Sequence, residues 1–349
     1  MTDLWTYLSG TDKPIIMYGM GNGADKIISR LDSIGKTVSD FFASDGFVRG
    51  HSFHGKVVLS FDEIKEKYKD FIILISFGSC LDDVLERFYF LDENYEVYAP
   101  DVPVCEGETF DLSFFKKHEA EINKARDCFC DGFSKETFDE IINYKLSGKI
   151  SRLKKTDVES GTEYKDILKK SYEKIVDCGA YTGDTAKEFL SHFSGVKKII
   201  CVEPDEKSFR KLSEFAQTEN TVIPVNACAW NENGKIFFDK SGNRNSNIFS
   251  RISKKCEYVN TLTVDSLTDG KADFIKYDVE GAEYYAINGS QNTIRTSFPD
   301  LKIAAYHRSE DIFSLPLLIK EICPDYDLFL RKSKYVPAWE INLFAVKGQ

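Results

Sequence analysis

The sequence predicts an α/β protein made of two successive parallel-sheet units joined by a helical connector. Three observations carry that prediction. Short apolar runs alternate with stretches of helical period twice along the chain; one run in each half ends in a glycine turn, "GMGNGA" at Gly19–Ala24 and "CGAYTGDT" at Cys178–Thr185; and between residues 111 and 170 the β signal gives way to long polar helices. A chain of 349 residues with 42% hydrophobic content can fill two such cores, since a domain takes roughly 150 residues.

The first unit spans residues 1–110. Ile15–Tyr18 is an apolar β-run, Gly19, Gly21 and Gly23 make its turn, and Ile27, Ile28 and Leu31 recur at helical spacing. Further strands follow in "TVSDFFASD", "DFIILISFG" and "YEVYAP", with the helix "SCLDDVLERFYFL" between the last two. This is a small Rossmann-like arrangement. "GMGNGA" fits the pattern G-x-G-x-x-[GA] and Asp45 stands where a ribose-binding acid would, so Gly19, Gly21, Ala24 and Asp45 form a candidate second nucleotide site. A degenerate scaffold, or a surface that pairs two copies of the chain, is the alternative.

Residues 111–170 form the connector. In "SKETFDEIINYKLSG" Ser134 can cap, Glu136 falls in the first turn, Phe138, Ile141, Ile142 and Leu146 share a face, and Gly148 ends the helix. The second unit spans residues 171–349. Strands are expected in "KIVDC", "KKIICVEP", "TVIPVNACAW", "ADFIKYDVEG" and "LKIAAYH", and shorter β pieces in "GKIFFD" and "TLTVDSL". Helices are expected in "TAKEFLSHF", "EKSFRKLSEFAQ", "AEYYAINGSQNTI" and "DIFSLPLLIKEI". The closing runs "YDLFLRK" and "EINLFAV" lie too close together to be parallel. A parallel sheet with an antiparallel terminal strand is the arrangement of the common methyltransferase fold.

Composition narrows the function. A formal charge of -10 gives no footprint for nucleic acid or an anionic membrane face, and the basic run "KISRLKK" at Lys149–Lys155 reads as solvated surface. Nine scattered cysteines suit reduced thiols in a cytoplasmic protein, and "CFC" at Cys128 and Cys130 lacks the C-x-x-C spacing of a metal site. Neither a signal peptide nor a membrane span is expected.

The second glycine turn differs from a dinucleotide turn. Asp177 stands two residues before Gly179, the next glycine is Gly183, and Glu203 ends the second strand in "CVEPD". An acid before the turn repels a pyrophosphate and suits an ammonium, while Glu203 can accept hydrogen bonds from ribose hydroxyls. S-adenosylmethionine has an ammonium, a ribose and no phosphate.

In these features the chain resembles the FkbM-type methyltransferases. "IVDCGAYTGDT", "CVEPD", "VNACAW", "TVDSL", "YDVEGAE" and "YHRSEDI" occur in that order from about residue 160 onward, and the connector is also similar to those of multidomain members. The resemblance implies a class I methyltransferase sheet, S-adenosylmethionine as donor, and O-methylation of a sugar or another hydroxylated metabolite, as in polysaccharide or secondary-metabolite biosynthesis. It places Asp177, Gly179, Ala180 and Gly183 at the methionine end of the donor, Glu203 at the ribose, and Asn226 and Ala227 near the adenine. The first unit resembles small Rossmann-like domains attached to sugar acyltransferases, down to "HGKVVLS", which leaves a nucleotide-linked sugar open as the acceptor.

For the acceptor side, Asp278, Glu280 and Glu283 of "YDVEGAE" lie where the fourth strand meets its helix, and His307 ends the next strand. His307 titrates near neutrality when unperturbed and is expected as proton acceptor, with Asp278 and Glu280 beside it; Glu283 reads as an acid at a helix start. Two carboxylates and a histidine would also suit a divalent metal, although no local ligand spacing demands one and no metal is assigned. "SGNRNSNIF" at Ser241–Phe249 reads as a polar loop that either covers the acceptor or simply closes a hairpin. Two further readings stay open: an NAD(P)-dependent oxidoreductase using the first turn, against which stands the lack of a Tyr-x-x-x-Lys or Cys/His constellation, and an inactive cofactor-binding scaffold.

Overall fold

The computed structural model describes residues 2–48, 50–105, 107–239 and 256–348. The first sheet contains β1 (Ile15–Tyr18), β2 (Asp40–Phe42), β3 (Ser52–Phe53), β4 (Lys56–Leu59), β5 (Ile72–Ile75) and β6 (Glu96–Tyr98), in the order β3-β4-β2-β1-β5-β6. All its pairs are parallel except the β3–β4 hairpin. Every residue of β1 and β5 is buried, as expected for strands covered on both faces. The hairpin comes from "HGKVVLS", where the sequence reading counted no strand. Its residues Lys56 and Val57 are exposed, so it lacks the apolar run that marks a central strand.

The connector is not purely helical. Its helices Leu112–Asp127 and Gly132–Ser147 are followed by β7 (Asp157–Val158), which adds an eighth strand to the large sheet. The helix predicted to start at Ser134 starts earlier, because Asp131 caps it by accepting from the Ser134 backbone N–H. Ser134 is instead buried, and its hydroxyl accepts from the Leu330 N–H at 2.9 Å and from Arg331. Gly148 ends the helix in the left-handed conformation as expected. The apolar face of this helix joins one core with both units, in which Ile73 and Phe88 share a cluster with Phe138, Ile141, Ile275 and Leu328.

The second unit continues with β8 (Lys174–Cys178), β9 (Lys198–Val202), β10 (Val222–Val225), β11 (Cys228–Ala229), β12 (Gly234–Asp239), β13 (Cys256–Leu262), β14 (Phe274–Tyr277), β15 (Asp300–Ala304), β16 (Tyr326–Ser333) and β17 (Ile341–Lys347). The large sheet runs β10-β9-β8-β14-β15-β17-β16-β7, and β17 is antiparallel to both neighbours. This is the class I methyltransferase arrangement with one strand added at its edge. β11, β13 and β12 form a separate small sheet. "TLTVDSL" divides, its first residues closing β13 and Val264–Thr268 forming a helix capped by the Thr263 hydroxyl. "AEYYAINGSQNTI" also divides, into helices Glu283–Asn288 and Gln291–Ser297. At the break, a Cβ on Gly289 would lie 1.9 Å from the Trp230 carbonyl oxygen.

Strand order reverses between β8 and β14. The crevice at the carboxyl ends of these strands is therefore where such a sheet takes its ligand. Among the described residues the cysteines are free thiols, and no helix is long and apolar enough to cross a membrane.

Candidate active site

The turn after β8 is held against the turn after β14 by direct backbone contact. Gly179 has φ +83, and a Cβ there would lie 1.8 Å from the Asp278 carbonyl oxygen. Glycine is needed for that approach as much as for its φ. Gly183 (φ +90) precedes the helix Asp184–His192 and leaves room for the Phe215 ring, which a Cβ would meet at 2.6 Å. Tyr181 and Glu280, both non-glycine, also take positive φ values, 48 and 52.

Asp177 lies beneath the turn and is fully buried. Its two carboxylate oxygens have no hydrogen-bond partner among the described residues, and the Lys276 ammonium is 3.3 Å from Oδ1. Burial raises the Asp177 pKa, and Lys276 opposes that rise. Lys276 stands opposite Asp177 in the β8–β14 register; its Nζ also donates to the Gly179 carbonyl at 3.1 Å and lies 3.6 Å from Asp278 Oδ2. Burial alone would lower the Lys276 pKa, but the two aspartates outweigh it and keep the amine charged. This lysine ties the two halves of the crevice together, and the sequence analysis missed it. The available signal was a cation inside the apolar run "FIKY", where an unpaired charge would be costly.

Glu203, at the end of β9, accepts from the Tyr181 N–H through Oε2 and from the Asp205 N–H through Oε1, each at 2.8 Å. Burial pushes its carboxyl up to about 7, although both backbone bonds act the other way. Asn226 is exposed; its amide donates to the Glu203 and Pro204 carbonyls at 2.9 and 3.3 Å, so it braces the loop carrying Glu203. Ala180 and Ala227 are buried in the walls.

Across the crevice, His307 is 1% exposed. Its Nδ1 is 2.9 Å from Glu283 Oε1, which also accepts the Val279 N–H at 2.8 Å. Nε2 faces Asp278 Oδ1 at 3.6 Å and Glu280 Oε2 at 3.7 Å. Burial opposes the charged ring, yet Glu283, Glu280 and Asp278 together push its pKa up to about 10. The surrounding carboxylates thus favour the charged ring, which weighs against its expected role as proton acceptor. Burial would raise Asp278, but Lys276 and His307 hold it below the usual carboxylate range. Glu280 is pushed up to about 7, chiefly by burial. The wall behind these groups comes from the segment after β6, where the Cys105 N–H donates to the His307 carbonyl at 3.1 Å and its thiol to the Glu280 carbonyl at 3.0 Å.

Residues 177–336 match the family model of the methyltransferase FkbM domain. The fold of the chain is similar to that of the methyltransferase FkbM from Methylobacillus flagellatus KT, with a TM-score of 0.75 and 18% identity over 98% of this chain and 92% of that one. Lower scores relate it to an rRNA methylase from Streptococcus thermophilus (0.35, 10% identity, 54% of this chain and 93% of that one) and to fibrillarin from Aeropyrum pernix in complex with natively bound S-adenosyl-L-methionine (0.33, 14%, 51% and 67%). No curated protein matches the sequence.

The glycine turn of the first unit lies apart from this site, in its own sheet. Gly19 (φ +106) is covered by Phe77, whose ring a Cβ would meet at 2.5 Å, and Ala24 is buried. Gly21 (φ +104) has no atom within 4 Å of its Cβ position, so the turn is filled at one glycine and open at the other. The Asp45 backbone lies in a short 3₁₀ turn after β2, and its side chain falls outside the described residues. A cavity of about 280 Å³ beside the turn is lined by Met20, Lys26, Phe77, Pro103 and, from the loop before β17, Trp339. Lys26 donates to the Pro103 and Val104 carbonyls at 2.8 and 2.7 Å. The loop "SGNRNSNIF" lies outside the described residues.

Proposed function

We propose that the protein is an S-adenosylmethionine-dependent O-methyltransferase acting on a small hydroxylated acceptor such as a sugar. The observation that carries this reading is the shared wall at Gly179 and Asp278, which sets the donor-type turn directly beside a cluster of three carboxylates and a histidine. The residues fit this donor. Asp177 lies beneath the turn with neither oxygen hydrogen-bonded and Lys276 3.3 Å away, Glu203 at the end of β9 lies beside the Tyr181 N–H of the same turn, and the excess of acids disfavours a pyrophosphate.

When bound, S-adenosylmethionine supplies an electrophilic methyl group. Glu203 would hold its ribose hydroxyls, the Gly179–Gly183 turn its methionine end, and the Asn226–Ala227 segment its adenine, with Asp177 and Lys276 fixing the turn from below. On the acceptor side, half-buried Asp278 orients the hydroxyl and half-buried Glu280 takes its proton. Buried His307, with Nε2 3.6 Å from Asp278 and 3.7 Å from Glu280, positions both carboxylates. Glu280→Gln should lower methyl transfer by about 100-fold with donor affinity preserved. Transfer of labelled methyl to a panel of sugars and other polyols checks this; full activity in the variant removes Glu280 from the role, and no transfer to any hydroxylated acceptor removes the O-methyltransferase reading.

A pH dependence follows from Glu203. Ribose hydroxyls donate to the ionised carboxylate, whose pKa before ligand binding is pushed up to about 7 by burial. Donor affinity should therefore rise with pH through that value and be about tenfold weaker at pH 6 than at pH 8. Calorimetry across that range should show the trend in the wild type and lose it in Glu203→Gln.

A further inference from the structure

We propose that the acceptor half of the crevice is a divalent-cation site, in which His307 Nε2 and Asp278 ligate the ion, Glu283 orients the ring, and oxygens of the acceptor complete the shell. The proposal deepens the methyl-transfer reading and rests on it for the acceptor's part; the protein ligands stand on geometry alone. One potential ligand atom each from Asp278, Glu283 and His307 lies within 4.8 Å of the other two. The three groups come from the ends of adjacent strands β14 and β15 and from the helix start that follows β14.

With the ion displacing the Nε2 proton and Nδ1–H kept on Glu283, the ring is arranged as a metal ligand would be. Its Nδ1 is engaged by Glu283 at 2.9 Å, which is how a carboxylate fixes the tautomer and direction of a ligating imidazole. The opposite nitrogen faces Asp278 Oδ1 at 3.6 Å and Glu280 Oε2 at 3.7 Å. Both are too long for hydrogen bonds. Two donors each about 2.1 Å from a common ion sit about 3 to 3.5 Å apart at ordinary coordination angles, so Nε2 and Asp278 need only a small adjustment.

An independent observation concerns charge. Glu283 is fully buried, and its Oε2 has no partner among the described residues. It brings a third carboxyl to a pocket that holds Asp278 and Glu280, with His307 and Lys276 as the neighbouring cations, and a buried polar atom without a partner is costly. A divalent ion would give the carboxyl cluster a further partner. Carboxylates with one imidazole suit Mg²⁺ or Mn²⁺ completed by further oxygens. Such an ion selects acceptors carrying two neighbouring oxygens, a vicinal diol or hydroxy acid, and makes the bound hydroxyl more acidic.

The test is titration of the full chain with Mn²⁺, read by loss of the free-ion paramagnetic resonance signal, with Mg²⁺ as competitor and S-adenosylhomocysteine calorimetry in parallel. The expected result is one Mn²⁺ per chain, displaced by Mg²⁺ and weakened at least tenfold in both Asp278→Asn and His307→Gln; Glu283→Gln should cost about 10- to 100-fold. Asp278 is half-buried, so Asp278→Asn remains informative if the histidine variant does not fold. Absence of Mn²⁺ binding, or equal binding by folded Asp278→Asn, overturns the site. If Mn²⁺ binds as expected while S-adenosylhomocysteine does not, the cation site stands and the methyl-transfer reading falls.

Discussion

Lys276→Met should destabilise the protein by about 3 to 5 kcal/mol, the usual cost of removing one member of a buried ion pair. The ammonium is the charged partner found beside Asp177, whose carboxylate is fully buried with neither oxygen hydrogen-bonded among the described residues. It also holds the Gly179 carbonyl at 3.1 Å and stands 3.6 Å from Asp278. Methionine fills much the same volume and cannot answer any of the three groups. Urea unfolding measures the loss. The double variant Asp177→Asn, Lys276→Met should recover much of it, because the stranded charge is then gone; a single variant as stable as wild type would show that Lys276 does not hold the two turns together.

Gly179→Ala should be comparably damaging, through backbone geometry. Its Cβ would enter at 1.8 Å from the Asp278 carbonyl oxygen and at φ +83, where an L side chain is strained. The obstacle is main chain, which cannot rotate away, so the β8 and β14 turns must separate. A loss of about 2 to 4 kcal/mol is expected, and donor affinity should fall at least tenfold because the turn is displaced. Thermal unfolding and calorimetry check the two effects. Wild-type values for both would mean that the turns part at little cost.

The parts of this architecture carried by local pattern were legible in the sequence. β1, β5, β8, β9 and β14 are apolar runs ending at a glycine or an acid, and "YDLFLRK" with "EINLFAV" indicated the antiparallel closing pair. Features set by distant partners were not. β7 is two residues long and exists because β16 offers it an edge, while the β3–β4 hairpin has an exposed surface that gives no apolar signal.

The same division runs through the site. The sequence marked Asp278, Glu280 and His307, and the structure brings them together. The character of His307 was hidden, because a lone histidine at a strand end gives no sign that three carboxylates will surround it; one of them, Glu283, had been read as an acid at a helix start. Lys276 was overlooked because two of its partners, Asp177 and the Gly179 carbonyl, come from the neighbouring strand β8 and the turn after it, about a hundred residues away in sequence.

The central claim is that the crevice between the β8 turn and the end of β9 is a site for S-adenosylmethionine. Calorimetric titration of S-adenosylmethionine into the full chain, and into Glu203→Ala, tests it most directly. Glu203 would make two charge-assisted bonds to the ribose, so the account predicts one donor molecule per chain in the wild type and affinity weakened by about 2 to 4 kcal/mol in the variant. No heat of binding to the wild type, or the same affinity in both proteins, would contradict it.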